Sequence, residues 1–436
     1  MSQAWLPDYI YTDGRFRSGV AIVADSSGKI LELTENAQKV TRLAGRAMLP
    51  GLVNAHSHAF QRIIRGRTEY RSQNSTDSFW TWREQMYAAA TQLSPEEIYD
   101  VSRMAFFEMV QTGITAVGEF HYIHHSPNGS PYDDPNLLAH EVIRAANDVG
   151  IRIALLRVAY ARAGFNTDPN PQQVRFIEDS ADIYLAHLDQ LLNSIDTTDG
   201  MAWAGVAPHS VRAVPLNYLK HIITFANERR LPIHMHVAEQ PAEVTACIEE
   251  YGRSPVALLE TEGLLSERFT AVHAIHVTPK AVAVLAQSGA GVCACPTTER
   301  NLGDGVVPAD LYFKSNVPIS LGTDSQVQID LLEDARELEY HLRLQKIERN
   351  VLATEADNGP SSLAARLFEC ATVNGAKAIG FDGGVLEPGR PADFFTVDIN
   401  DISIAGSSPD DLLANIVFSL SKTAIREVVV NGKQIK

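Results

Sequence analysis

His56 and His58 stand two residues apart at the end of the apolar run MLPGLVNAHSHAFQ, Met48–Gln61. In extended backbone the side chains alternate faces, so both imidazoles can address one point. Neutral imidazole is a common zinc ligand, and a catalytic zinc takes about three protein ligands plus water, so this pair requires partners elsewhere. Three further stretches offer them: LPIHMHVAEQ carries His234, His236 and Glu239, AVHAIH carries His273 and His276, and SLGTDS carries Asp324. Zinc on His56, His58 and His236 would bring the pKa of water toward neutrality and so supply a nucleophile for hydrolysis. Asp324 can bind the metal and accept the water proton, Glu239 can protonate a substrate nitrogen, and His273 can polarise the group under attack. Taken singly, such residues are more often capping or solvated groups. Their recurrence at successive strand ends favours chemistry. Because about three protein ligands suffice, His234 reads as a packed residue, and His276 reads as an ordinary loop histidine.

These residues need a scaffold that gathers the ends of separate strands. Strand-like runs fall at about 50–56, 114–120, 152–160, 202–208, 231–238, 269–275, 290–296 and 317–323, with helical stretches between them. Such alternation marks a parallel α/β architecture, and eight strands close a (β/α)8 TIM barrel whose active site lies at the C-terminal strand ends. Ser94, Pro95 and Glu97 form a helix start, and Gly113 a stop. The connection at 62–93, which contains SFWTWREQMY, far exceeds an ordinary βα loop and is expected to help build the site. At the chain ends, GVAIVADSSGKILEL, ADFFTVDI and AIREVVVNGKQI read as strands around turns. The expected organisation is a composite β-sandwich domain from 1–47 and 385–436, with the barrel over 48–384.

Composition narrows the function. The chain has 436 residues, enough for one large barrel with additions. Its 37 basic and 53 acidic residues give a formal charge of −16, which argues against nucleic acid or an anionic membrane as the main partner. An anionic substrate would need locally placed arginines. Cys247, Cys293, Cys295 and Cys370 are too few for a disulfide scaffold and read as buried thiols. The chain shows neither a signal-like start nor an apolar run of membrane-spanning length, so a cytoplasmic protein is expected.

PGLVNAHSH, HMHVAEQ, AVHAIH and LGTDS together resemble the metal-site motifs of the deaminase branch of the amidohydrolase superfamily, across essentially the whole chain. The resemblance implies that His56, His58, His236 and Asp324 hold the metal, with Glu239 and His273 in acid/base and substrate-polarising roles. Two-metal members carry a lysine at strand four, whereas this strand ends VAPHSVR, which implies one Zn2+ per subunit or another divalent metal in its place. HAFQR, DSFWTWREQMY, EFHYIHH, APHSVRAV and CPTTERNLGDG resemble the branch members that hydrolyse N-formimino-L-glutamate to N-formyl-L-glutamate and ammonia in histidine breakdown. On that likeness Gln61, Arg83, Tyr122, His209 and Arg212 line the substrate pocket, and the protein is a homodimer. Arginine suits such a small anionic substrate because its planar fork grips carboxylates bidentately. One departure stands out: the branch leads us to expect a histidine where this chain has Gln326. The alternatives are a deaminase for a guanine, cytosine or adenosine-type ring, and a metal-binding scaffold without catalysis.

Overall fold

The computed structural model describes all residues except 1, 72–76, 166, 168–169, 355–358 and 360. Part of the 62–93 connection, 72–76, therefore lies outside the described residues. The eight expected barrel strands are present in the expected order: Leu52–Ser57, Ile114–His121, Arg152–Ala159, Ala202–Pro208, Ile233–Val237, Phe269–His273, Gly291–Ala294 and Ile319–Leu321. Each pairs in parallel with the next, giving one eight-stranded sheet. A parallel bridge between Ser57 and Asp324 joins the first strand to the segment after the eighth. There the Asp324 N–H donates to the His56 carbonyl, and the His58 N–H to the Asp324 carbonyl, both at 3.0 Å. The closure of the barrel thus runs through three of the candidate metal ligands.

Buried on both faces, these strands carry apolar runs rather than alternation. Small side chains fill the barrel interior: Ala55, Ala116, Ala154, Cys293 and Cys295 pack with Val53, Val272 and Ile379. A narrow barrel leaves room for little more. All four cysteines are free and buried. The helices pack around the outside. Helix Pro95–Gln111 starts where its capping box predicts: the Glu97 N–H donates to the Ser94 hydroxyl, and the Ser94 N–H to the Glu97 carboxylate. It is followed by Gly113 at φ +84°, a left-handed position that suits glycine.

Strands from both chain ends form one mixed sheet, so the two halves of the expected sandwich are continuous through hydrogen bonds. Thr41–Pro50 pairs in parallel with Gln3–Thr12 and antiparallel with Phe394–Asp398. Asn431 and Gly432, both at positive φ, turn Ile425–Val430 into Lys433–Gln434 as their sequence suggests. Trp5, Ile10, Ile22, Met48, Phe394 and Val429 give this sheet a core of its own. After Gly51 the chain enters the first barrel strand directly, which anchors the segment bearing His56 and His58 at its root.

Candidate active site

His56, His58, His236 and Asp324 are buried, and each offers one ligand atom within 4.8 Å of the others. Their environment prepares them as ligands. The His58 Nδ1 donates to the Phe120 carbonyl at 2.9 Å and the His236 Nδ1 to the His209 carbonyl at 3.2 Å, which leaves each Nε2 as the free lone pair. Both ring nitrogens of His56 are buried without a hydrogen-bond partner. Burial pushes the pKa of His56 down to about 3 and that of His236 well below its ordinary value, keeping both rings neutral. Burial acts in the opposite direction on Asp324, but the close His56 ring and the charge of His273 outweigh it and keep this carboxyl ionised. Three neutral imidazoles and one carboxylate fit a divalent cation, and without one the unpartnered nitrogens would be costly to bury.

Glu239 and His273 lie on the same side. The His273 Nε2 is 3.6 Å from Glu239 Oε1 and 3.7 Å from Asp324 Oδ2. Burial raises the Glu239 pKa to about 7, near the value for a group that must hold and release a proton at neutral pH. The strand mouths are held in unusual backbone: Ala238, His273, Ala274, Asp324 and Gln326 all have positive φ. Such residues cost roughly 1–3 kcal/mol each and tend to cluster at functional sites. Gly322 has no side chain because there is no room for one, since a Cβ would lie 2.7 Å from the Cβ of His56.

Gln61, Arg83, Tyr122, His209 and Arg212 line one buried cavity together with His58, His236, Glu239, His273 and Asp324. Gln61 Nε2 donates to the Tyr122 hydroxyl at 3.0 Å. Gln61 Oε1, Arg83 Nε and Nη1, and Arg212 Nη1 are buried without partners among the described residues. The long connection forms helix Phe79–Ala90, and Phe79, Trp82, Met86 and Tyr87 on it complete the cavity wall. Trp80, which the motifs leave without a role, packs under both guanidinium groups, 4.5 Å from Arg83 and 5.8 Å from Arg212. Its signal was the spacing of Trp80, Arg83 and Tyr87 along one helical face. Glu299, within CPTTERNLGDG, was also given no role, yet it approaches His273 Nδ1 to 3.2 Å.

The residues read as non-ligands lie apart. His234 points into the barrel one layer deeper, with Nε2 against the Ala378 carbonyl at 2.8 Å, and His276 Nε2 meets the Asp304 carbonyl. Gln326 has a structural part: its Nε2 donates to Ser57 Oγ at 2.8 Å, and Thr323 Oγ1 donates to its Oε1 at 3.0 Å. Ser57 in turn donates to Glu119. This network ties the segment after the eighth strand to the first strand beside the candidate metal ligands.

A near-closed parallel barrel with a His, His, His, Asp group at its strand ends defines a metal-dependent hydrolase, and residues 47–435 match the amidohydrolase family; the chain belongs to it. Among curated relatives it is 38% identical over 400 residues, 92% of this chain and 86% of the other, to formimidoylglutamate deiminase of Pseudomonas aeruginosa. It is 28% identical over 433 residues, 98% and 89% of the two chains, to a 5-methylthioadenosine/S-adenosylhomocysteine deaminase of Halobacterium salinarum. Among solved structures, an amidohydrolase from Brucella melitensis superposes with a TM-score of 0.89 at 32% identity, covering 99% of this chain and 94% of that one. A zinc-bound adenosine deaminase from Xanthomonas campestris shares the fold at a TM-score of 0.82 and 22% identity, covering 99% and 92%.

Proposed function

We propose that this protein hydrolyses N-formimino-L-glutamate to N-formyl-L-glutamate and ammonia, using one zinc per subunit. One observation carries the reading: unpartnered N–H donors of Arg83 and Arg212 face the same cavity as the metal-ligand group, Glu239 and His273. A substrate with two carboxylates would satisfy those donors, whereas a neutral heterocycle would leave them buried and unpaired. The identity to the Pseudomonas aeruginosa deiminase supports the same substrate.

A divalent ion on His56, His58, His236 and Asp324 would supply Lewis acidity, bringing the pKa of water toward neutrality. Arg83 and Arg212 hold the glutamate carboxylates, while Gln61, Tyr122 and His209 shape the pocket around the formimino group. Asp324 takes a proton from the attacking water as its oxygen bonds to the formimino carbon. His273 polarises that carbon through its imine nitrogen. Glu239 gives its proton to the same nitrogen, the proton held by Asp324 becomes the second, and ammonia leaves as the C–N bond breaks, the hydroxyl proton of the adduct returning to Glu239 as the formyl carbonyl forms. In this reading residues 1–47 and 385–436 form one unit and 48–384 the catalytic one. The active form is a cytoplasmic homodimer, a reading supported by the family resemblance alone.

The test is ammonia release from N-formimino-L-glutamate beside 5′-methylthioadenosine, S-adenosylhomocysteine and guanine, with metal content measured on the same protein. Turnover of the formimino compound alone, with N-formylglutamate as co-product, is expected. Formamide plus glutamate as products, or preference for a purine, would overturn the proposal.

A further inference from the structure

We infer that Glu299 is a positioning residue that fixes the ring orientation of His273 and the hydrogen on its Nδ1. The inference rests on the proposed hydrolysis for its kinetic consequence, but not for its geometry. Glu299 belongs to the short helix Pro296–Leu302 that follows the seventh strand, and it is 1% exposed. Its Oε1 receives two groups at once: the Cys295 N–H at 2.8 Å and the His273 Nδ1 at 3.2 Å. The backbone N–H can only donate, so the atom facing His273 must be an acceptor. An acceptor there requires Nδ1 of the imidazole to carry a hydrogen. The ring is thereby held with Nε2 turned toward the reacting centre, where it is buried, has no hydrogen-bond partner, and stands 3.6 Å from Glu239.

Two features make this an orienting device rather than an incidental ion pair. His273 has φ +66° and is followed by Ala274 at φ +47°, a backbone conformation that residues with side chains rarely adopt, so the ring leaves the strand mouth from a strained position and needs a partner to hold it. Glu299 itself is pinned, because the amide it caps lies at its own helix start, four residues back in the chain. A carboxylate fixed by the backbone and bonded to the far nitrogen of a functional imidazole is the logic by which enzymes orient a histidine. Glu299 belongs neither to the metal-ligand group nor to the residues lining the cavity, so it acts on the site through His273.

The arrangement separates two substitutions. In Glu299→Gln the amide oxygen can still accept from Cys295 and from His273 Nδ1, so the Nδ1 hydrogen and the ring orientation are retained. In Glu299→Ala the acceptor is gone. For the metal-loaded enzyme we expect Glu299→Ala to lose about 10- to 100-fold in kcat, the size typical of such supporting partners, with metal content and KM little changed. Glu299→Gln should recover most of that loss. Two-bond 1H–15N spectra of histidine-labelled protein supply a readout independent of turnover: the His273 signal is expected as Nδ1–H in wild type and Glu299→Gln, and altered in Glu299→Ala. A His273 signal unchanged in folded, metal-replete Glu299→Ala, or equal kcat loss in Gln and Ala variants, would overturn the inference. If wild type shows the Nδ1–H form but does not turn over the formimino compound, the substrate reading fails and the positioning role stands.

Discussion

At the residue scale, the contrast between buried donors that have partners and those that lack them is most informative. Glu239 touches neither barrel closure nor the metal-ligand group, but it lies 3.6 Å from His273 across the cavity. Glu239→Gln keeps size and polarity while removing the exchangeable proton. It should retain metal content and lose roughly 10²- to 10⁴-fold in kcat; near-normal turnover by the metal-replete variant would remove Glu239 from the mechanism. Arg212→Ala removes a buried donor group aimed into the cavity. Charge-assisted bonds contribute about 1.5–3 kcal/mol, so kcat/KM for the dicarboxylate should fall by about 10- to 100-fold with metal content unaltered. If metal binding falls in parallel, Arg212 supports the fold instead.

At the element scale, the site depends on how the eighth strand meets the first. Asp324 bonds through its backbone to both His56 and His58, and Gly322 admits the close approach of the two strands. A methyl at Gly322 would meet the His56 backbone oxygen at 2.8 Å as well as its Cβ, so the strands must part. Gly322→Ala should cost about 1–3 kcal/mol, the range for overpacking. Because the clash falls on a ligand, metal affinity should weaken together with the unfolding midpoint. Full metal occupancy at limiting metal, measured by elemental analysis, would show that the strands absorb the strain. The helix Phe79–Ala90 is the second decisive element, since it carries Arg83 and the Trp80 face on which both arginines stack.

At the scale of the whole molecule, two buried ion pairs hold the layers in register. Arg152 at the start of the third barrel strand donates to Asp393 beside the terminal sheet, at 2.6 and 3.0 Å. Asp393→Ala would leave a guanidinium buried and uncompensated, a loss of about 3–5 kcal/mol. Urea unfolding should record that loss while kcat of the folded fraction stays unchanged. The second pair, Arg157 with Glu178, predicts behaviour in acid. Burial pushes the Glu178 carboxyl up, but the Arg157 charge and the His187 hydrogen bond pull it further down, well below the ordinary 4.5. A group whose folded pKa is depressed stabilises fully above its unfolded value and loses that stabilisation as pH falls through the folded one. The urea midpoint should therefore drop as pH falls below about 4.5. This loss should be smaller in Arg157→Met, whose Glu178 keeps only His187 and lacks the guanidinium at neutral pH; an equal acid slope in both proteins would assign the effect to other carboxylates.

What the sequence determined by itself was local. Apolar runs of strand length separated by capped helices specify eight parallel strands, because periodicity, Gly113 and the Ser94 capping box act over a few residues. HSH likewise discloses a candidate ligand pair, because a two-residue period is a property of extended backbone alone. Family likeness added the pocket residues, which spacing could not supply. The tertiary structure supplied the reason that His236 and not His234 meets His56, since the two share a face but lie at different depths in the barrel. It also decided that Gln326 stitches the first and eighth strands together, and that Glu299 reaches a histidine 26 residues away. Those partnerships depend on closure of the barrel, which sets side chains from distant strands within hydrogen-bond range, and no local pattern encodes that distance.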